Sequence, residues 1–248
     1  MSMVHVSERS VAVFCTGQSS ISTAYHLSST LQSKVKVYTE GMDYTQLASE
    51  ESITKVVVGL KERGFEPMVV ATKEEALEKI KELIPAGASV MNGASKTLEQ
   101  VGYIEYLKAG QHPWRNLHAS ILAEKDPAAQ QVLRRQSLTS DYYLGSVHGL
   151  AQTGEMLIAS NTGSQLPHIV YSSPNLILVV STQKIVPTLE DAHKRLWEHV
   201  VPLEDVRMKE VYGPESGTNV SKVFEFRKEQ AFNGRKVYVL LVKESLGF

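Results

Sequence analysis

Two Thr-Gly turns, Thr153-Gly154 and Thr162-Gly163, bracket the apolar run Met156 to Ser160, and no other stretch packs as much site chemistry as Ser146 to Gln165. An α/β sheet commonly builds a pocket for a small anion from a strand bounded by backbone-permissive, hydroxyl- and amide-rich turns. Two residues here are candidates for catalysis. Glu155 is a carboxylate for proton transfer or acyl attack if it faces a pocket, and a solvated acid in a hairpin turn if it does not. His148 titrates near neutrality and suits general acid or base work, the alternative being a hydrogen-bonded core histidine. No His, Cys or carboxylate stands at ligand spacing from His148, apart from Glu155 seven residues on, so no metal site is expected. Thr153 and Gly154 complete the first turn. The second, Asn161, Thr162, Gly163, Ser164 and Gln165, offers two amides and two hydroxyls to a ligand's oxygens and nitrogens.

A second candidate loop is Asn92-Gly93-Ala94-Ser95-Lys96-Thr97, placed where a strand ends and a helix begins. The unpaired first-turn N–H groups and positive dipole end there favour phosphate or carboxylate. Gly93 lets a ligand approach the backbone, Ser95 and Thr97 donate hydroxyls, and Lys96 adds charge; the plainer reading is a helix cap. Lys184, in Thr182-Gln183-Lys184 after another strand, either completes an anion site or is solvated.

The elements that must hold these loops alternate. A helix is expected over Thr45 to Arg63, ended by Gly64, with Ile53, Val56, Val57 and Leu60 at helical spacing. Glu66 to Ala71 reads as a strand, Lys73 to Ile84 as an amphipathic helix and Ala88 to Met91 as a strand, a unit that predicts a parallel pair. Helices are expected near Thr97 to Val101, Ile104 to His118 and Pro127 to Ser137. Tyr142 to Leu150 and Met156 to Ser160 read as paired strands, Leu176 to Ser181 as a buried strand and Leu189 to His199 as a helix. The C-terminal part reads as a hairpin, Lys222 to Phe226 and Lys236 to Val242 about Asn233-Gly234. The pattern predicts an α/β fold, an α/β sandwich around a largely parallel sheet.

Of the 248 residues, 42% are apolar and 21% charged, with a net charge of -1, as in an ordinary soluble globular chain. Basic residues are dispersed among acids, so no nucleic-acid partner is expected. The apolar runs are too short for a bilayer, so neither is membrane insertion. A single cysteine, Cys15, excludes an internal disulfide and any four-thiolate cluster held by this chain alone, and fits a cytoplasmic location. The first 44 residues hold nine serines, which resembles an organellar transit peptide, but Arg9, Lys34 and Lys36 are their only basic residues. They read as an N-terminal extension, 1–44, with a strand at Val11 to Cys15, before a domain over 45–248.

Together G-A-S-K-T after a strand, H-G-L-A-Q-T-G-E-M-L-I, N-T-G-S-Q and L-I-L-V-V-S-T-Q-K-I-V-P-T-L-E-D-A resemble the lactate-utilisation (LUD) domain, the group that includes the LutC/YkgG proteins. The resemblance covers about Thr45 to Glu244 and is most specific over Asp141 to Ala192. It implies a NagB/RpiA/CoA-transferase-like fold, a three-layer α/β/α sandwich with ligands at strand ends, and a site at Gly93, Ser95, Thr97, Thr153, Gly154, Glu155, Thr162, Gly163, Ser164 and Lys184. It further implies a role in organic-acid utilisation, linked to oxidation of L-lactate, with a small anionic metabolite as ligand; no cofactor is expected. The sequence departs from the family where Gln152 replaces an acid before the turn, and where Ser216-Gly217-Thr218-Asn219-Val220 lacks an Asp. Two alternatives follow from the resemblance: a non-catalytic subunit or regulator docking on an iron–sulfur protein partner, and a sugar-phosphate isomerase or CoA-transferase-like enzyme. Whether the chain is catalytic, and whether it forms a homo-oligomer, stays open.

Overall fold

Unbroken runs of Leu, Ile and Val become strands covered on both faces, and two such runs, β7 (Asn175–Ser181) and β10 (Lys236–Val242), are almost wholly buried. In the computed structural model, residues 42–248 are described; the strand expected at Val11 to Cys15 lies outside them. β7 and β10 are central in a six-stranded sheet with β1 (Glu66–Val70), β2 (Ser89–Asn92), β3 (Arg115–Asn116) and β4 (Tyr142–Gly145), ordered β1-β10-β7-β4-β2-β3. Every pairing in it is parallel.

Helices return the chain between these strands. α1 (Glu50–Glu62) is capped by the Ser49 hydroxyl, which accepts from the Ser52 N–H at 3.2 Å, and it buries Ile53, Val56 and Leu60. Thr72 caps α2 (Lys73–Leu83) in the same way. α3 (Lys96–Gln100) and α4 (Tyr103–Lys108) follow β2, then α5 (Leu117–Ala123) and α6 (Pro127–Gln136) precede β4. One face of the sheet, including Leu144, Ile177, Val179 and Leu240, packs on Ala76, Ile80, Leu98 and Tyr103 of α2, α3 and α4. The opposite face, including Leu178, Val180 and Val239, packs on Val56 and Leu60 of α1.

The three-layer α/β/α order therefore holds, with one addition. A second sheet of β5 (Gly149–Ala151), β6 (Met156–Ser160), β8 (Ile185–Val186) and β9 (Lys222–Phe226), ordered β8-β5-β6-β9, sets Leu150, Met156, Ile158 and Phe226 against the α1 side of the large sheet. Its other face carries Leu157 and Ala159 under Ala192 and Leu196. These belong to α7 (Leu189–Arg195) and the wide turn Leu196–Val200, which leads into α8 (Val201–Tyr212).

Several expectations are corrected. Tyr142 to Leu150 is not one strand: β4 stays in the large sheet, and only β5 pairs, antiparallel, with β6. The C-terminal hairpin does not form. β9 pairs antiparallel with β6, whereas β10 lies parallel between β1 and β7, because six buried residues in β10 demand a central strand. The helix expected over Ile104 to His118 ends at Lys108, where Gly110 takes φ +69° and Pro113 lacks an N–H to continue it. The helix expected to stop at His199 passes through a π turn into α8, which accommodates Pro202.

Candidate functional site

β4 and β7 are parallel neighbours in the large sheet, and the strands that follow them, β5 and β8, are parallel neighbours in the small one. The chain thus steps between the sheets twice, side by side, through Ser146-Val147-His148 and through Thr182-Gln183-Lys184. Lys184 joins the two steps. Its buried Nζ donates to Thr97 Oγ1 at 3.0 Å, Ser146 Oγ at 3.1 Å and the Val147 carbonyl at 3.2 Å. None of these acceptors is charged, and Lys184 forms no ion pair among the described residues. Loss of hydration, reinforced by the nearby Arg195 guanidinium, pushes its pKa down to about 7.

Lys184 forms part of the wall of a cavity of about 260 Å³. His148 borders the same space. Its Nδ1 accepts the Ala159 N–H at 3.0 Å, which fixes the neutral ring with its proton on Nε2. Desolvation, then the Lys184 and Arg195 charges, lower its pKa to about 3, so it is a hydrogen-bond donor and not a cation at neutral pH. Behind it Arg195, fully buried, donates from Nη1 to the His148 carbonyl, while its Nε and Nη2 have no hydrogen-bond partner among the described residues. The other charged side chains at the cavity are paired: Arg207 holds Glu204 at 2.6 and 2.8 Å, and Lys96 lies 3.4 Å from Glu99. Neither Lys184 in the wall nor Arg195 behind it has an acidic side-chain partner among the described residues.

The structure brings together most of the loops expected from sequence. Gly93, Ser95, Lys96 and Thr97 line the cavity on one side, and Asn161, Thr162, Ser164 and Gln165 on another. Ser95 also caps α3, its hydroxyl accepting the Leu98 N–H at 3.3 Å. Gln165 is held by its Nε2, which donates to the Ala159 carbonyl at 2.9 Å. Asn92 is buried beside the site and does not line it; its Nδ2 donates to the Gly93 carbonyl at 3.1 Å. Gly163 turns outward against the Lys222 side chain.

Thr153, Gly154 and Glu155 lie elsewhere. Their turn packs on α1 so closely that a Cβ on Gly154, at φ +93°, would fall 2.5 Å from the Gly59 carbonyl carbon. The Glu155 carboxylate pairs with Arg63 and accepts from the Thr153 hydroxyl, outside the cavity. It cannot serve chemistry there. Among the described residues no three His, Cys, Asp or Glu side chains gather as a metal site, and no helix is long and apolar enough to cross a membrane.

Sequence reasoning missed part of the wall. Thr218 and Asn219 line it, and the departure at Ser216 to Val220 had marked their segment. Tyr143 also lines it, its ring stacked on buried His168 with centroids 4.5 Å apart. Gly247 closes the Lys184 side: a Cβ there would sit 2.9 Å from Nζ and 2.3 Å from Thr97 Oγ1. Arg195 gave no signal, since nothing in the run E-D-A-H-K-R sets it apart from its charged neighbours.

Comparison with known proteins yields a family model described as the LUD domain, matching residues 53–242. A crystal structure of a DUF162 family protein from Deinococcus radiodurans is similar at 13% identity and a TM-score of 0.45, over 79% of this chain and 99% of that one. No curated protein matches.

Proposed function

Since the chain belongs to the LUD-domain family, which is associated with lactate utilisation in general, we propose that it binds a small organic acid in the cavity between its two sheets. The observation that carries this reading is Lys184, a buried cation-forming group at a cavity wall with three neutral oxygen partners and no carboxylate. A charge removed from water is costly unless an opposite charge meets it. Arg195 adds positive potential from behind, and the His148 Nε2–H, the Thr162 and Ser164 hydroxyls and the Ser95 loop offer polar contacts to a carboxylate's oxygens. A volume of about 260 Å³ is ample for a metabolite of a few carbons. The acyl-transfer alternative loses its carboxylate, because Glu155 is held by Arg63 outside the cavity.

The test is thermal unfolding with lactate, pyruvate and a cationic control such as choline, repeated across pH. An acid at 100 times its Kd should stabilise the protein by about 2.7 kcal/mol. Because an anion favours the Lys184 ammonium, affinity should fall as pH rises past about 7, approaching tenfold per unit. Absence of stabilisation by any carboxylate, or equal stabilisation by choline, would refute the reading.

A further inference from the structure

The surroundings of Lys184 suit more than charge. Ser146 donates its hydroxyl proton to the Val179 carbonyl at 2.6 Å, so toward Lys184 it can only accept, as can the Val147 carbonyl. Thr97 Oγ1, 3.0 Å away, has no other hydrogen-bond partner among the described residues and can donate. A neutral amine is thus accommodated: two N–H groups can go to Ser146 and Val147, and on loss of the third proton the contact with Thr97, itself a cavity residue, reverses, leaving a lone pair that a ligand's carbonyl can compete for. The absence of a Cβ at Gly247 lets the backbone pass beside Nζ and Thr97 without displacing either.

From this geometry we propose that Lys184 is a nucleophilic amine that condenses with the carbonyl of a 2-oxo acid seated in the cavity. The inference rests on the organic-acid reading and deepens it. The protonated Lys184 joins Arg195 in drawing in the carboxylate, and once Lys184 has lost its proton the amine takes the adjacent carbonyl carbon while Arg195 still supplies positive potential. In the step itself the Nζ lone pair forms the N–C bond and the carbonyl π pair moves to oxygen, where the His148 Nε2–H can stabilise it. The two nitrogen protons then leave with that oxygen as water, giving a C=N bond with no change of oxidation state. Desolvation beside a second cation is an established way to make a lysine amine available near neutral pH. The neutral fraction of Lys184 at pH 7 exceeds that of an exposed lysine by roughly three orders of magnitude.

The experiment is incubation of the full chain with pyruvate and sodium borohydride at neutral pH, followed by intact mass and peptide mapping, with thermal unfolding in pyruvate alongside. One reduced adduct is expected, mapped to Lys184 and at least about tenfold above any exposed lysine. Lys184→Arg should abolish the adduct; mapping on the unsubstituted chain decides the matter even if that variant fails to fold. Stabilisation by pyruvate without an adduct at Lys184 would overturn the imine and leave the organic-acid site standing. Neither stabilisation nor adduct would overturn both, and labelling confined to exposed lysines would overturn the imine.

Discussion

Replacing Lys184 with methionine keeps a flexible unbranched chain while deleting the amine, and isolates what it costs to bury it. An unfolded chain leaves this lysine near its ordinary 10.5, whereas the folded protein holds it at about 7. Between those values the unfolded state binds more protons than the folded one, so stability rises with pH across the window. The slope attributable to Lys184 approaches about 1.4 kcal/mol per pH unit and sums to about 4 to 5 kcal/mol between pH 7 and 10.5. Below about pH 7 the folded state also carries the charge, and the contribution is flat. His148, lowered from 6.5 to about 3, acts only in the acid range and does not overlap. Lys184→Met also strips partners from Thr97, Ser146 and the Val147 carbonyl, but that loss is a constant offset. Urea unfolding of both proteins from about pH 6 to about pH 10 supplies the difference. Wild type should gain on the variant by several kcal/mol as pH rises above 7. Parallel stability curves would show that Lys184 titrates normally and would remove the electrostatic argument for the site.

Two other substitutions separate the cavity from its surroundings. Gly247→Ala introduces a methyl 2.3 Å from Thr97 Oγ1 at a backbone φ of +69°, and should lower stability by about 1 to 3 kcal/mol and abolish stabilisation by organic acids; an unchanged ligand response would show that Gly247 does not shape the space at Nζ. Glu155→Gln should lower stability by about 1 to 2 kcal/mol through its pairing with Arg63 while leaving ligand-induced stabilisation intact, as measured by thermal shift.

What could be read from residue order is what short-range physics decides. The alternation from Glu66 to Met91 reports local periodicity, and it reappears as β1, α2 and β2. The Ser95 cap and the clustering of the Ser95, Asn161 and Lys184 loops follow from where strands end. Choice of strand partner does not follow. Asn233-Gly234 advertises a hairpin, yet burial of β10 on both faces outweighs the turn and sends β9 to another sheet. The pattern across Tyr142 to Leu150 likewise cannot show that Ser146 to His148 leave one sheet for another. Glu155 and Arg195 illustrate the same limit for side chains. Glu155 stands in a turn before an apolar strand and Arg195 among charged residues, and only tertiary packing takes one out to Arg63 and the other into the interior.

The paired steps from β4 to β5 and from β7 to β8 have a mechanical consequence. Two layers that touch only through apolar side chains can slide, but here Lys184 ties its own crossing to the neighbouring one through Ser146 and Val147 and to α3 through Thr97. A molecule that recruited Nζ would loosen or redirect that tie at the place where shear between the layers must begin. Occupancy would then be felt along β5 and β8 as a change in amide exchange, at backbone groups the molecule itself need never touch.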